Sequence, residues 1–206
     1  MKTTNKFAWI VFAVLAISVG LYPLTYFFLD REFGLLASKS EGLLSNVIWN
    51  AGFYGHILFG GLALLIGWVQ FSKKLRTANI NRHRIIGKIY VIAAIISGFC
   101  GCYIAFYATG GIVASMGFLG LGILWLYTTF QAYFAIKKRD ISLHQGFMIY
   151  SYAACFAAVT LRFWLPILSY AFGDFVTAYR IVAWLCWVPN IIFAFFWVRK
   201  RGILLG

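Results

Sequence analysis

Six long apolar runs separated by short polar ones dominate the chain, at about residues 7–29, 48–71, 85–108, 112–136, 145–168 and 179–198. A helix of ~20 apolar residues crosses the ~30 Å hydrocarbon layer, where only helices and closed barrels satisfy their own backbone. The pattern predicts an all-α polytopic membrane protein, a six-transmembrane-helix bundle forming one domain over residues 1–206. The first run is read as a span and not as a signal peptide, because it stays apolar and aromatic through Phe28, beyond the length of a signal core.

Composition narrows this further. Of 206 residues 63% are hydrophobic and 11% charged, whereas a soluble domain carries about a quarter charged residues. A water-soluble globular protein and a disordered chain are both excluded. The net charge of +13 does not imply nucleic acid, because no base-reading motif is present and the basic residues fall in short clusters between the apolar runs. Those clusters report topology. Fourteen Lys and Arg, including Lys2, Lys6 and the groups at 73–88, 137–139 and 199–201, fall on one side, against Arg31, Lys39 and Arg180 on the other. The positive-inside rule then places both termini in the cytoplasm. The acids agree, with Asp30, Glu32, Glu41 and Asp174 outside and Asp140 inside.

Ionisable side chains in a span are costly and therefore informative. They are His56, His83, His144 and Arg162. At about 100° per residue, His56, Gly60, Ala63, Gly67 and Gln70 share one face of the second span. The third does the same with His83, Gly87, Tyr90, Ala94, Ser97 and Gly101, and the fifth with His144, Met148, Ser151, Cys155, Ala158 and Arg162. Such stripes are expected to face one another inside the bundle, with Gly117, Leu121 and Thr128 of the fourth span as a weaker wall. Depth divides them into two layers. His83, His144 and Gln70 sit near the cytoplasmic interface, and His56 and Arg162 lie roughly 20 Å higher at 1.5 Å rise per residue. That separation argues against one three-histidine zinc site.

The motifs His56-x3-Gly60, Gly67-x2-Gln70, His83-Arg84-x2-Gly87-x2-Tyr90, His144-x3-Met148 and Arg162 resemble those of a family of bacterial inner-membrane proteins catalogued as a domain of unknown function, over about residues 50–170. The resemblance implies a multi-pass protein of the bacterial inner (cytoplasmic) membrane and no particular chemistry. More weakly, His83-Arg84-x2-Gly87 looks like the b-type haem transmembrane reductases, whose two haems use four histidines; three are present here.

Three functional readings follow. The first is a redox bundle, an oxidoreductase if it is an enzyme, binding one haem b or a quinone between spans three and five. His83 and His144, or Met148 in place of one, are its candidate iron ligands, with Arg84, Gly87, Tyr90 and Gln70 completing the site. The second is a carrier for a small solute or a proton, with His56, Gly60 and Arg162 as an outer polar site. Against this reading, the chain shows no clear inverted repeat and no discontinuous helix in corresponding halves, and Pro23, Pro166 and Pro189 do not form a matched pair. The third is a lipid-binding subunit without catalysis, with a lipid or quinone headgroup held at the cytoplasmic face by the amino ends of spans three and five and by Arg82, Arg84, Lys137, Lys138 and Arg139. Membrane lipid is the expected partner, with a small-molecule ligand or a quinone beside it. Arg162 needs compensation: either Asp174, just outside the span, reaches down to it, or a ligand carboxylate, a propionate or backbone carbonyls must serve. No Ser-His-Asp, G-x-S-x-G or H-E-x-x-H pattern supports hydrolytic chemistry.

Overall fold

The computed structural model of the chain describes residues 3–29 and 34–203. Lys2, Asp30, Arg31 and Glu32, which entered the charge count above, lie outside the described residues. Among the described residues six helices are long and apolar enough to cross a membrane: Lys6–Phe27, Val47–Phe71, Ile80–Ala105, Ile112–Lys137, Ile141–Phe172 and Phe175–Lys200. They are the first to sixth spans.

The third, fifth and sixth spans begin ahead of their apolar runs because short polar side chains start them. Asn79 accepts a hydrogen bond from the Arg82 amide, Asp140 from that of Leu143, and Asp174 from those of Val176 and Thr177. Asn46 does the same for the second span through the Trp49 amide. Each cap satisfies an amide that the helix leaves without an internal acceptor.

Packing follows chain order, with the second span most extensively against the third and the fourth against the first half of the fifth. The fifth span also touches the first and second spans and so reaches the middle of the bundle. Small residues set the spacing there. Ala63, Ala93, Ala94 and Ala154 are buried together with Leu64, Tyr90, Tyr152 and Cys155. Without water to drive helices together, close approach and interhelical hydrogen bonds hold such a bundle. The middle of the polar stripes of spans three and five accordingly turns inward, with Tyr90, Ser97, Ser151 and Cys155 buried. The Tyr90 hydroxyl lies 2.9 Å from Ser151 Oγ, which lies 2.7 Å from the Thr129 hydroxyl, while Tyr152 donates to the Leu64 carbonyl at 3.0 Å.

The last two spans are not continuous helices. The fifth is divided into Ile141–Cys155 and Ala157–Phe172, and the sixth into Phe175–Leu185 and Val188–Lys200. In the sixth the cause is Pro189, which cannot donate to the Leu185 carbonyl one turn earlier. In the fifth the break falls at Phe156, well before Pro166, which the second half accommodates inside its helix. Both breaks meet at one side chain. Asn190 Nδ2 donates to the Cys186 carbonyl at 3.0 Å, to Thr160 Oγ1 at 3.2 Å and to the Ala153 carbonyl at 3.3 Å. The Thr160 hydroxyl in turn donates to the Cys186 carbonyl. Carbonyls freed by the breaks are thus satisfied across the two spans, as hydrocarbon surroundings require.

Asn190→Leu removes these donors and leaves the Cys186 and Ala153 carbonyls short of partners. It is expected to lower stability by about 1–3 kcal/mol, read as a lower unfolding midpoint in detergent. Thr160→Val is expected to be non-additive with it, with a coupling of about 0.5–3 kcal/mol; strictly additive losses would show that the two side chains do not act together.

Candidate functional site

A cavity of about 740 Å³ lies in the half of the bundle that holds Lys39, and side chains from all six spans line it. That volume is in the range of small-molecule sites. The first span contributes Tyr22 and Tyr26, the second Trp49, Phe53, His56 and Gly60, the third Gly98 and Gly101, and the fourth Phe118, Leu121 and Trp125. Cys155, Ala157, Ala158, Leu161 and Arg162 of the fifth span and Phe175, Tyr179 and Cys186 of the sixth complete it, with Lys39 from the loop before the second span. Cys155, Ala157 and Cys186 flank the two helix breaks, so the discontinuities form part of the cavity wall.

His56 is held by the third span. Its Nδ1 is 3.0 Å from the Ser97 carbonyl, and the Ser97 hydroxyl donates back to the His56 carbonyl at 2.8 Å. A ring nitrogen facing a carbonyl can only donate, so Nδ1 carries the proton and Nε2 is left as an acceptor. Glycines permit this reciprocal pair. A Cβ at Gly60 would stand 2.9 Å from Ser97 Oγ, and one at Gly101 would stand 2.8 Å from His56 Nδ1.

Arg162 is the more demanding side chain, since a guanidinium within a span costs at least ~2.5–3.5 kcal/mol unless something compensates it. One edge donates from Nη1 to the Ala158 carbonyl at 2.9 Å, and the Tyr22 ring covers the face of the group at 4.3 Å. Nε is buried and has no hydrogen-bond partner. Asp174, the acid expected to reach it, does not. Its carboxylate is spent on capping the sixth span, where bonds from Thr177 and Val176, with Arg180 nearby, hold its pKa below the usual carboxylate range. Among the described residues no carboxylate lines the cavity. A second donor is also unclaimed: Trp49 is 1% exposed, and its Nε1 has no partner.

Lys39 brings a second positive charge to the same lining. Its ammonium donates to the Tyr107 carbonyl at 2.6 Å and to Thr109 Oγ1 at 2.9 Å, and Ser38 Oγ lies 2.9 Å from the same Thr109 hydroxyl. Burial pushes its pKa down to about 8. Neither Lys39 nor Trp49 stands out along the chain as a site residue. Lysine in a loop reads as a solvated charge, and a tryptophan at a span end reads as an interfacial anchor.

The inner group of expected site residues lies outside this cavity. His144 Nδ1 donates to the Ala132 carbonyl of the fourth span at 2.8 Å, and His83 is near enough to His144 for their charges to interact. Arg84 is exposed, Met148 packs beside the main core, and open space surrounds a Cβ placed at Gly87. Tyr90 is fully buried in the hydroxyl chain with Ser151, and Gln70 Oε1 is buried without a partner. His83 and His144 therefore come together near one end of the bundle, while His56, Gly60 and Arg162 come together on the cavity. Among the described residues no three or more His, Cys, Asp or Glu are grouped to hold a metal ion.

The model of the family described as "Predicted membrane protein (DUF2306)" matches residues 53–198, and the chain belongs to that family. No curated protein and no solved structure matches the chain.

The depressed pKa of Lys39 sets a pH dependence. Its ammonium is disfavoured in the folded state relative to the unfolded one, so its penalty is full below about pH 8 and fades as pH rises toward 10.5. The unfolding midpoint is expected to climb across that window, and Lys39→Met to flatten the climb; an unchanged slope in the variant would assign the effect to another group.

Proposed function

We propose that this multi-pass membrane protein binds a small amphipathic molecule in the cavity shared by its six spans, as a carrier or a binding subunit of the bacterial inner membrane. The observation that carries this reading is the cavity itself, about 740 Å³ with a largely aromatic and aliphatic wall and two buried donors, Arg162 Nε and Trp49 Nε1, that have no acceptor. A buried donor left unpaired costs about 1–3 kcal/mol. An apolar pocket with a few convergent polar groups is what a small ligand needs for burial and for orientation. The His56 ring adds an acceptor at Nε2, and Lys39 adds a cation. The basic residues near the His83 end support a cytoplasmic position for that end and an outward position for the Lys39 end.

One observation favours a second reading, a single haem b at the other end. The Nδ1 bond from His144 to the Ala132 carbonyl fixes the ring and leaves Nε2 as the free nitrogen, the arrangement common in ligating histidines. His83 is the partner imidazole within reach, and Met148 is the alternative.

For the first reading, octyl-chain compounds are expected to raise the unfolding midpoint of the detergent-purified protein, and Leu121→Trp, which enlarges a lining side chain into the cavity, to abolish the shift. An equal shift in Leu121→Trp would place the binding elsewhere. For the second, protein purified from haem-replete cells is expected to show a Soret band that His144→Ala removes, and a colourless preparation would end that reading.

A further inference from the structure

The charge of the cavity says more about its ligand than its size does. Two cations, Arg162 and Lys39, share the lining, and no carboxylate among the described residues balances them there. Lys39 already donates to Tyr107 and Thr109. Arg162 is fixed on one edge by Ala158 and on its face by Tyr22, and its Nε has no acceptor.

The remaining Nε and Nη2 edge of a guanidinium is a fork of two parallel donors, and this fork is what pairs with two oxygens of one oxyanion. A neutral head, such as a ketone or an alcohol, would fill a donor and leave the positive charge unbalanced in surroundings of low dielectric. An oxyanion supplies both.

Resting on the reading that the cavity holds an amphipathic molecule, we propose that this molecule carries an oxyanion head, a carboxylate or a phosphate, seated on Arg162. Its single hydrocarbon chain lies along Phe118, Leu121, Leu161 and Leu165. Arg162 is thus the residue that selects for head-group charge, and the aliphatic wall accepts any chain of suitable length.

The test compares octanoate, octyl phosphate and methyl octanoate, which share a chain and differ in head charge. Unfolding of the intact chain in detergent is followed by tryptophan fluorescence as each compound is titrated. The two anions are expected to stabilise the wild type at about tenfold lower concentration than the ester, a difference of about 1.4 kcal/mol. The better of the two identifies the head as carboxylate or phosphate. In Arg162→Gln the three compounds are expected to converge, and in Arg162→Lys the preference for the anions is expected to shrink but persist. Should Arg162→Gln fail to fold, the wild-type and Arg162→Lys titrations decide. An ester as potent as the anions in the wild type, or an anion preference surviving in Arg162→Gln, overturns the head-group assignment and leaves the amphipathic reading standing. No stabilisation by any of the three removes both.

Discussion

A positive charge held inside an apolar bundle must be compensated, and most of the informative features of this structure surround that requirement. Arg162 meets it in part through its own helix carbonyl at Ala158 and the π-face of Tyr22. Both are modest partners for a guanidinium. What they leave over is a buried Nε–H without an acceptor, on a side chain that lines a large cavity.

The rest of the architecture keeps that cavity open. Spans two and three are locked by the reciprocal bonds between His56 and Ser97, which require the missing side chains of Gly60 and Gly101. Spans five and six depart from regular helix beside the cavity, and Asn190 with Thr160 absorbs the backbone groups set free. Below it, the buried hydroxyls of Tyr90, Ser151 and Thr129 satisfy one another. The interior thus holds a connected chain of hydroxyls in its lower part and two donors without acceptors, Arg162 Nε and Trp49 Nε1, in its upper part.

The two histidine layers are anchored alike. His144 is anchored to the fourth span and lies beside His83 near the basic end of the chain. His56 is anchored to the third span and lines the cavity with Arg162. In each anchored ring Nδ1 donates to a backbone carbonyl of a neighbouring span.

Much of this was legible along the chain. Six apolar runs dictate six membrane helices, because length and hydropathy alone decide whether a segment can cross. Helical phase was enough to turn His56, Gly60, Ser97, Tyr90 and Ser151 inward, since lipid penalises any other direction. The helix starts at Asn79, Asp140 and Asp174 were readable in principle from their residue types but were hidden by the weight of the apolar runs that follow. What phase and depth could not supply was partnership across spans. Whether Asp174 would pair with Arg162 or cap its own helix, whether Asn190 would bridge two breaks, and whether Lys39 and Trp49 would join His56 around one space all depend on where non-adjacent helices come to rest. That placement follows from the packing of small residues over the whole bundle, and no local stretch of sequence encodes it.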